Sequence, residues 1–411
     1  VDKNEKNGTA RASDTLAVHA GTFPLIANTP SSPALYQASS YEFDDLNEVE
    51  AIYAGSRPGA IYGRYGGPNG LHFESAIAEL ENAEVAVGAA SGMAAINAAL
   101  ASTLASGMPV ICATGLYGGT TSLLENDFQQ HGHETVSVEI SDTDAVHSAL
   151  ARSGSTVLYV EALSNPLVRV ADIPTLSEIA HSHGARLLVD ATFASPALAR
   201  PLNMGADIVI HSVGKYLAGH GDVGAGVCAG RRELMDPLRA WLVRNGATIP
   251  HFEAWLALRG LRTLGLRMAR HAENARRVAE FLVHSPAVAK VHHPSLAGHP
   301  EHALAERLYP AGTGGIVAFD LYGGRPEVAA VLERLRTIAI VHSLGEVAST
   351  ISYSAVSSHR PLSPERRAAL GVTDATLRLS CGIEDAHDII ADLEQAFAGL
   401  SARIPASKTF V

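Results

Sequence analysis

The chain has 411 residues, 47% of them hydrophobic and 18% charged, with a formal net charge of -11. That composition is globular, and the length is too great for one ordinary core. The negative balance argues against a nucleic-acid partner, whose phosphates need basic patches.

Three scattered cysteines without a C-x-x-C, and 19 histidines without an H-E-x-x-H, argue against a disulfide framework and against a metal site. A reducing cytoplasm fits that cysteine usage. The first stretch, VDKNEKNGTARASD, is polar and lacks an apolar h-region, so no secretory signal is expected. No apolar run reaches the ~18 residues that a membrane helix needs.

Residues 1–66 are poor in periodic structure, and Pro24, Pro30 and Pro33 forbid a long helix in FPLIANTPSSPALYQASSYEF. An extended arm of this length is uncommon in a compact monomer, so it is expected to lie across a neighbouring subunit. From Asn69 the pattern changes: Leu71, Ala76, Ile77 and Leu80 recur at helical spacing. The runs VAVGAA, PVICA, TVSV, TVLYV, RLLVD and DIVIHS then alternate with helical stretches such as SDTDAVHSALARSG and IPTLSEIAHSHG. Short Val/Leu/Ile runs without polar alternation read as strands buried on both faces. Residues 67–266 are therefore expected to form a large α/β domain around a mainly parallel sheet. HFEAWLALRGLRTLGLRMARHAENARRVAEFLVHS reads as one long helix or two, bending at Gly260 or Gly265. VAKVHH, GGIVAFDLYGG, ATLRLSCG and EDAHDIIADLEQAFAGL suggest a smaller α+β domain over residues 267–411.

One segment, SVGKYLAGHGDVGAG (212–226), holds a single lysine, Lys215, followed by a literal G-x-G-x-x-G at Gly219, Gly221 and Gly224. A dinucleotide loop leaves a strand and opens a helix at once. Here Lys215 and Tyr216 intervene, and AGVCAG is another apolar run. The glycines are weak evidence for nucleotide binding. A lysine in a cramped, partly dry site loses proton affinity and becomes a nucleophile toward aldehydes, forming a Schiff base. The plain alternative is a lysine in a surface loop.

Asp190 ends RLLVD, at the carboxyl edge where open α/β sheets bind ligands. It suits a protonated pyridine nitrogen, or serves only as a turn or cap. Ser91 and Gly92 open a helix whose free N–H groups suit a phosphate, or simply cap it. Tyr117 follows PVICA, placed either to stack on a flat ring or to pack.

In this order the motifs resemble the Cys/Met-metabolism PLP-dependent enzymes, the trans-sulfuration group of the PLP-dependent transferase fold type I. The matching stretches are YGRYGGPN (62–69), ASGMAAI (90–96), LYGGT (116–120), EALSNPLVRVADI (161–173), DATFASPALARPL (190–202), the Lys215 segment, LRGLRTLGLRMARH (258–271) and LRLSCGIEDAHDIIADLEQA (377–396). The resemblance implies pyridoxal 5'-phosphate as cofactor and a small-molecule amino acid as substrate. It implies that Lys215 carries the cofactor and shuttles protons, that Asp190 pairs with the ring nitrogen, and that Tyr117 stacks on the ring and acts in proton transfer. Ser91, Gly92, Met93 and Ser212 would hold the phosphate. Tyr62 and Arg64 would reach it from the adjacent subunit of a homotetramer built as a dimer of dimers. Asn165, Ser343 and Arg378 would grip the substrate carboxylate.

The chain departs from the family pattern at several places. Gly214 stands where threonine is usual before the lysine, and Ala191 where asparagine usually follows the aspartate. SLGEVAS places Glu346 at a glycine position and Ala348 at a glutamate position. Gly119 stands where methionine γ-lyases carry cysteine, and ISYSAVSSH lacks a histidine–proline pair. These departures point to an altered or roomier substrate pocket. The expected activity is γ-elimination on an L-amino acid such as methionine or cystathionine, giving a 2-oxo acid and ammonia. The alternatives are γ-replacement, of the cystathionine γ-synthase or O-acetylhomoserine sulfhydrylase type, and a non-catalytic binding module.

Overall fold

A computed structural model describes residues 31–360, 362–398 and 400. Most of the expected N-terminal arm, residues 1–30, lies outside the described residues. The fold below is that of the unit Leu35–Val411.

Seven strands form one mixed sheet: β1 Val85–Ala89, β2 Val110–Ala113, β3 Thr135–Val138, β4 Val157–Glu161, β5 Arg186–Asp190, β6 Ile208–Ser212 and β7 Gly226–Gly230. Their order is β1-β7-β6-β5-β4-β2-β3. β4 and β7 are buried at every position, which is why they read as unbroken apolar runs. The pairs β2–β3, β2–β4, β4–β5 and β5–β6 are parallel. β7 runs antiparallel to both β1 and β6. A parallel return needs a crossover, usually a helix. The Lys215 segment that joins β6 to β7 contains none, so the chain comes back antiparallel beside the strand it left.

A smaller C-terminal sheet follows: β8 Val288–His292, β9 Ile316–Leu321, β10 Ala339–Ile340, β11 Thr350–Tyr353 and β12 Thr376–Ser380, in the order β10-β11-β12-β9-β8. The amphipathic stretch before it is two helices, His251–Leu261 and Leu264–His284. The break falls at Arg262 and Thr263, between the two glycines where bending is expected. Gly260 serves a different end: a Cβ there would overlap the Ala218 carbonyl, so its absence lets two backbones meet. The second helix spans the expected 266/267 boundary. Its Leu264 and Met268 pack in the core of the large sheet, and Ala275, Val278 and Leu282 in that of the small one.

Within the segment expected to be extended, Leu46–Tyr53 is helical. Asp45 caps it, accepting the Glu48 N–H at 2.9 Å, and the Glu48 carboxylate accepts the Asp44 N–H at 2.7 Å. Among the described residues no helix is long and apolar enough to cross a membrane.

Candidate active site

The parallel strands β2, β4, β5 and β6 end along one edge of the large sheet, where a cavity of about 560 Å³ opens. Lys215, Tyr117, Asp190, Ser91, Gly92, Met93, Ser212, Asn165, Ser343 and Arg378 all line it. Tyr62 and Arg64 do not. Tyr62 is exposed, and Arg64 donates to the Val243 carbonyl at 2.8 Å while its guanidinium lies over the Tyr65 ring.

One end of the cavity is built for an anion. Ser91 caps the helix Gly92–Thr103, its hydroxyl accepting the Ala94 N–H at 3.0 Å. A Cβ on Gly92 would stand 2.8 Å from both Cβ and Oγ of Ser212. Only glycine brings the helix N-terminus, with its free N–H groups and positive dipole end, this close to a hydroxyl on β6.

Asp190 sits at the end of β5. Its Oδ1 accepts the Thr192 N–H at 2.9 Å and its Oδ2 the Tyr159 hydroxyl at 3.4 Å. Thr192 Oγ1 in turn accepts the Ser212 N–H at 2.9 Å, tying the carboxyl end of β5 to that of β6. Burial raises the Asp190 carboxyl above the ordinary range; the two Thr192 contacts and the buried His211 oppose that rise. A cationic partner would find a carboxyl already held in place here.

Lys215 is half-buried and donates from Nζ to Ser343 Oγ at 2.8 Å. Burial lowers its proton affinity, Arg378 lowers it further, and Glu346 opposes both. Arg378, on β12, is buried. Its Nη1 donates to Asn165 Oδ1 at 2.9 Å and its Nη2 to the Ser343 carbonyl at 2.9 Å. Burial brings its guanidinium down to about 10. Arg378 Nε is buried with no hydrogen-bond partner among the described residues. Ser343 thus joins the amine and the guanidinium: its hydroxyl receives one and its carbonyl the other.

Two groups unnamed by sequence reasoning organise the wall. Glu161, at the end of β4, is the register partner of Asp190. Its Oε1 accepts the Tyr117 N–H at 2.6 Å and its Oε2 the Asn165 N–H at 3.2 Å. The strand-end position that singles out Asp190 applies equally to Glu161. Thr192, two residues past Asp190, is the other.

Several departures have local causes. A Cβ on Gly214 would overlap the Val223 carbonyl oxygen, so the threonine usual there has no room. A Cβ on Gly119 would lie 2.5 Å from Tyr117 Cε1 and 3.1 Å from Met93 Sδ. The Tyr117 ring therefore lies where a cysteine side chain would stand. Ala191 is fully buried in the core of the large sheet.

A sequence model of the Cys/Met metabolism PLP-dependent enzymes matches residues 14–398. The chain belongs to this family. It is 41% identical over 392 residues to the O-succinylhomoserine sulfhydrylase of Pseudomonas aeruginosa, covering 95% of this chain and 96% of that protein. It is 38% identical over 384 residues to an L-methionine gamma-lyase of Fusobacterium nucleatum subsp. polymorphum, covering 93% and 96%. The crystal structure of cystathionine gamma synthase from Xanthomonas oryzae pv. oryzae in complex with aminoacrylate and cysteine superposes with a TM-score of 0.86 at 36% identity, over 95% of this chain and 98% of that one. The chain is therefore a PLP-dependent enzyme of the trans-sulfuration family, with the fold type I architecture of that family. The cavity fits such a cofactor: the close approach of Gly92 to Ser212 leaves an anion cradle at a helix end, and the orphaned Arg378 Nε leaves a donor for a carboxylate.

Proposed function

We propose that this enzyme catalyses γ-elimination on an L-amino acid carrying a γ-substituent, with a sulfur leaving group, releasing a 2-oxo acid and ammonia. The observation that carries the reading is the Ser343 bridge: one residue receives both Lys215 Nζ and Arg378 Nη2. A substrate held by its carboxylate on Arg378 then presents its α-carbon near the lysine amine.

In this reading the Ser91–Met93 helix end and Ser212 hold the cofactor phosphate, Asp190 the ring nitrogen, and Lys215 the aldehyde carbon. Tyr117 covers the ring. When bound, pyridoxal phosphate supplies an aldehyde that condenses with amines and a ring that draws electrons from the substrate carbons. Arg378 and Asn165 fix the carboxylate, the guanidinium fork giving it two contacts. With the substrate amine in its place on the cofactor, Lys215 Nζ would take the proton from Cα, pass it to the conjugated system that the cofactor supplies, and so be neutral again to take one from Cβ. Its lowered proton affinity suits the base role. The Tyr117 hydroxyl protonates the departing sulfur. Water then releases the 2-oxo acid and ammonia. Tyr62 and Arg64, away from the cavity of their own chain, complete the site of an adjacent subunit.

A second reading is γ-replacement, in which a thiol, rather than water, completes the turnover. The 41% identity to an O-succinylhomoserine sulfhydrylase and the likeness to a cystathionine gamma synthase favour it. The same residues serve both.

The test is incubation with L-methionine, L-cystathionine, O-acetylhomoserine and O-succinylhomoserine, each with and without an added thiol. Keto acid and ammonia accumulating without thiol support elimination. Turnover only with thiol replaces it with the second reading. Lys215→Ala is expected to abolish turnover and the yellow colour of the loaded protein; a variant that keeps both removes Lys215 from the mechanism.

A further inference from the structure

β4 is buried at every position, yet its middle residue carries a hydroxyl. Val157, Leu158 and Val160 are apolar, and Tyr159 stands among them fully buried. A phenol hydroxyl in such a place costs free energy unless a partner receives it. Asp190 is that partner: the Tyr159 hydroxyl donates to its Oδ2 at 3.4 Å.

The sheet register explains the meeting. Tyr159 pairs with Cys112 on β2 and with Leu188 on β5, while Glu161 pairs with Asp190. Side chains two residues apart on a strand share a face, so Tyr159 and Glu161 lie on the same face of the sheet as Leu188 and Asp190. Tyr159 sits one step behind the sheet edge and reaches forward and across to the carboxylate. It is not among the residues that line the cavity, so any influence on a bound group passes through Asp190. The groups at the edge do not take this place. Glu161 has both oxygens occupied by the Tyr117 and Asn165 N–H groups, and the Thr192 N–H serves Asp190 Oδ1 at 2.9 Å.

A donor on a carboxylate favours its charged form. At Asp190 burial works the other way, and the Thr192 contacts, the buried His211 and the Tyr159 hydroxyl oppose it. Tyr159 is a standing donor. Burial, and then the Asp190 and Glu161 charges, push its phenol well above the ordinary tyrosine range, so it keeps its proton.

We propose that Tyr159 is a positioning residue: its hydroxyl holds Asp190 ionised and in one orientation, so that the cofactor's ring nitrogen keeps its proton. This rests on the reading of Asp190 as the partner of that nitrogen. One proton lies between nitrogen and carboxyl. Without the hydroxyl, burial tips it toward the carboxyl, and the ring loses positive charge and with it pull on electrons.

The test loads wild type, Tyr159→Phe and Tyr159→Leu with pyridoxal phosphate labelled with nitrogen-15 in the ring, and reads the nitrogen by NMR. Wild type is expected to show a protonated ring nitrogen. In the hydroxyl-free variants the signal should move toward that of a neutral pyridine. Equilibrium dialysis should show the cofactor held roughly threefold to tenfold more weakly, as for one lost hydrogen bond. A merely structural role would lower the melting temperature and leave the nitrogen signal in place. Either hydroxyl-free variant suffices, so a Phe protein that fails to fold is replaced by the Leu one. A bound cofactor with the wild-type nitrogen signal in those variants overturns the Tyr159 proposal alone. A wild type whose bound ring nitrogen is already neutral, or that takes up no pyridoxal phosphate, overturns the Asp190 reading and this proposal with it.

Discussion

Glu161 and Asp190 are register partners at the carboxyl ends of β4 and β5, two carboxyl groups side by side on the wall of one cavity. Burial, and then the neighbouring Asp190 charge, push the Glu161 carboxyl up to about 8; its contacts with the Tyr117 and Asn165 N–H groups oppose that rise. A folded value above the unfolded one means that folding favours the protonated form. The contribution to stability is full below the ordinary carboxyl range and is lost as pH rises toward 8. Glutamine has no proton to lose. The melting temperature of the cofactor-free wild type is therefore expected to fall more steeply between about pH 5 and pH 8 than that of Glu161→Gln. Parallel melting curves across that window would remove Glu161 as a titrating group.

Gly214 offers a sharper case, because sequence comparison and structure point in opposite directions. The family pattern suggests that threonine at 214 would restore a hydroxyl to the phosphate site. The Val223 carbonyl occupies the space its Cβ needs. Gly214→Thr is thus expected to lower the melting temperature and to weaken cofactor retention, with a loss of stability of about 1–3 kcal/mol from overpacking. Dialysis of the loaded protein, followed by its residual absorbance, reads the second effect. A variant that holds pyridoxal phosphate more tightly than wild type would show that the loop yields.

How far the sequence disclosed this site depends on the kind of contact. Asp190, Ser91 and Lys215 stand where strands end or helices begin, so chain order alone places them at the sheet edge where the cavity opens. Strand–helix alternation was equally open to reading, since β4 and its neighbours are buried on both faces and lack polar alternation. Glu161 stands at the same kind of strand end, but it works through backbone N–H groups of Tyr117 and Asn165, which only the tertiary fold brings to it. The direction of β7 was hidden for a similar reason: an apolar run specifies a strand but not which way it runs. The helix break at Arg262 and Thr263 escaped because Gly260 answers to the close approach of Ala218, not to chain bending.

The Arg378 fork gives a prediction that separates binding from chemistry. Its Nη1 and Nη2 are already fixed by Asn165 and Ser343, which hold the guanidinium plane in one orientation. Lysine keeps the charge but loses the planar fork and the orphaned Nε. Arg378→Lys is expected to raise KM for the amino acid by roughly tenfold to a hundredfold, as befits lost charge-assisted hydrogen bonds. The bound cofactor should keep its absorbance. Steady-state kinetics with an unchanged KM would place the carboxylate elsewhere.

Tyr62 and Arg64 supply the last prediction, because their place in the fold is at odds with a role in their own chain's cavity. Tyr62 is exposed, and among the described residues Arg64 reaches the Val243 carbonyl and the ring and hydroxyl of Tyr65. If they complete the site of a neighbouring subunit, then Arg64→Ala and Lys215→Ala damage two different contributions to one composite site. Each variant alone should be nearly inactive. Unfolded together and refolded, they form mixed assemblies in which some sites take Lys215 from one chain and Arg64 from the other. Activity well above either parent is the expected result, and it should follow the fraction of mixed assemblies seen by native mass spectrometry. Sedimentation of the wild type should show a homotetramer. Mixing that restores nothing, or a fully active monomer, would return Tyr62 and Arg64 to the surface of a self-contained chain.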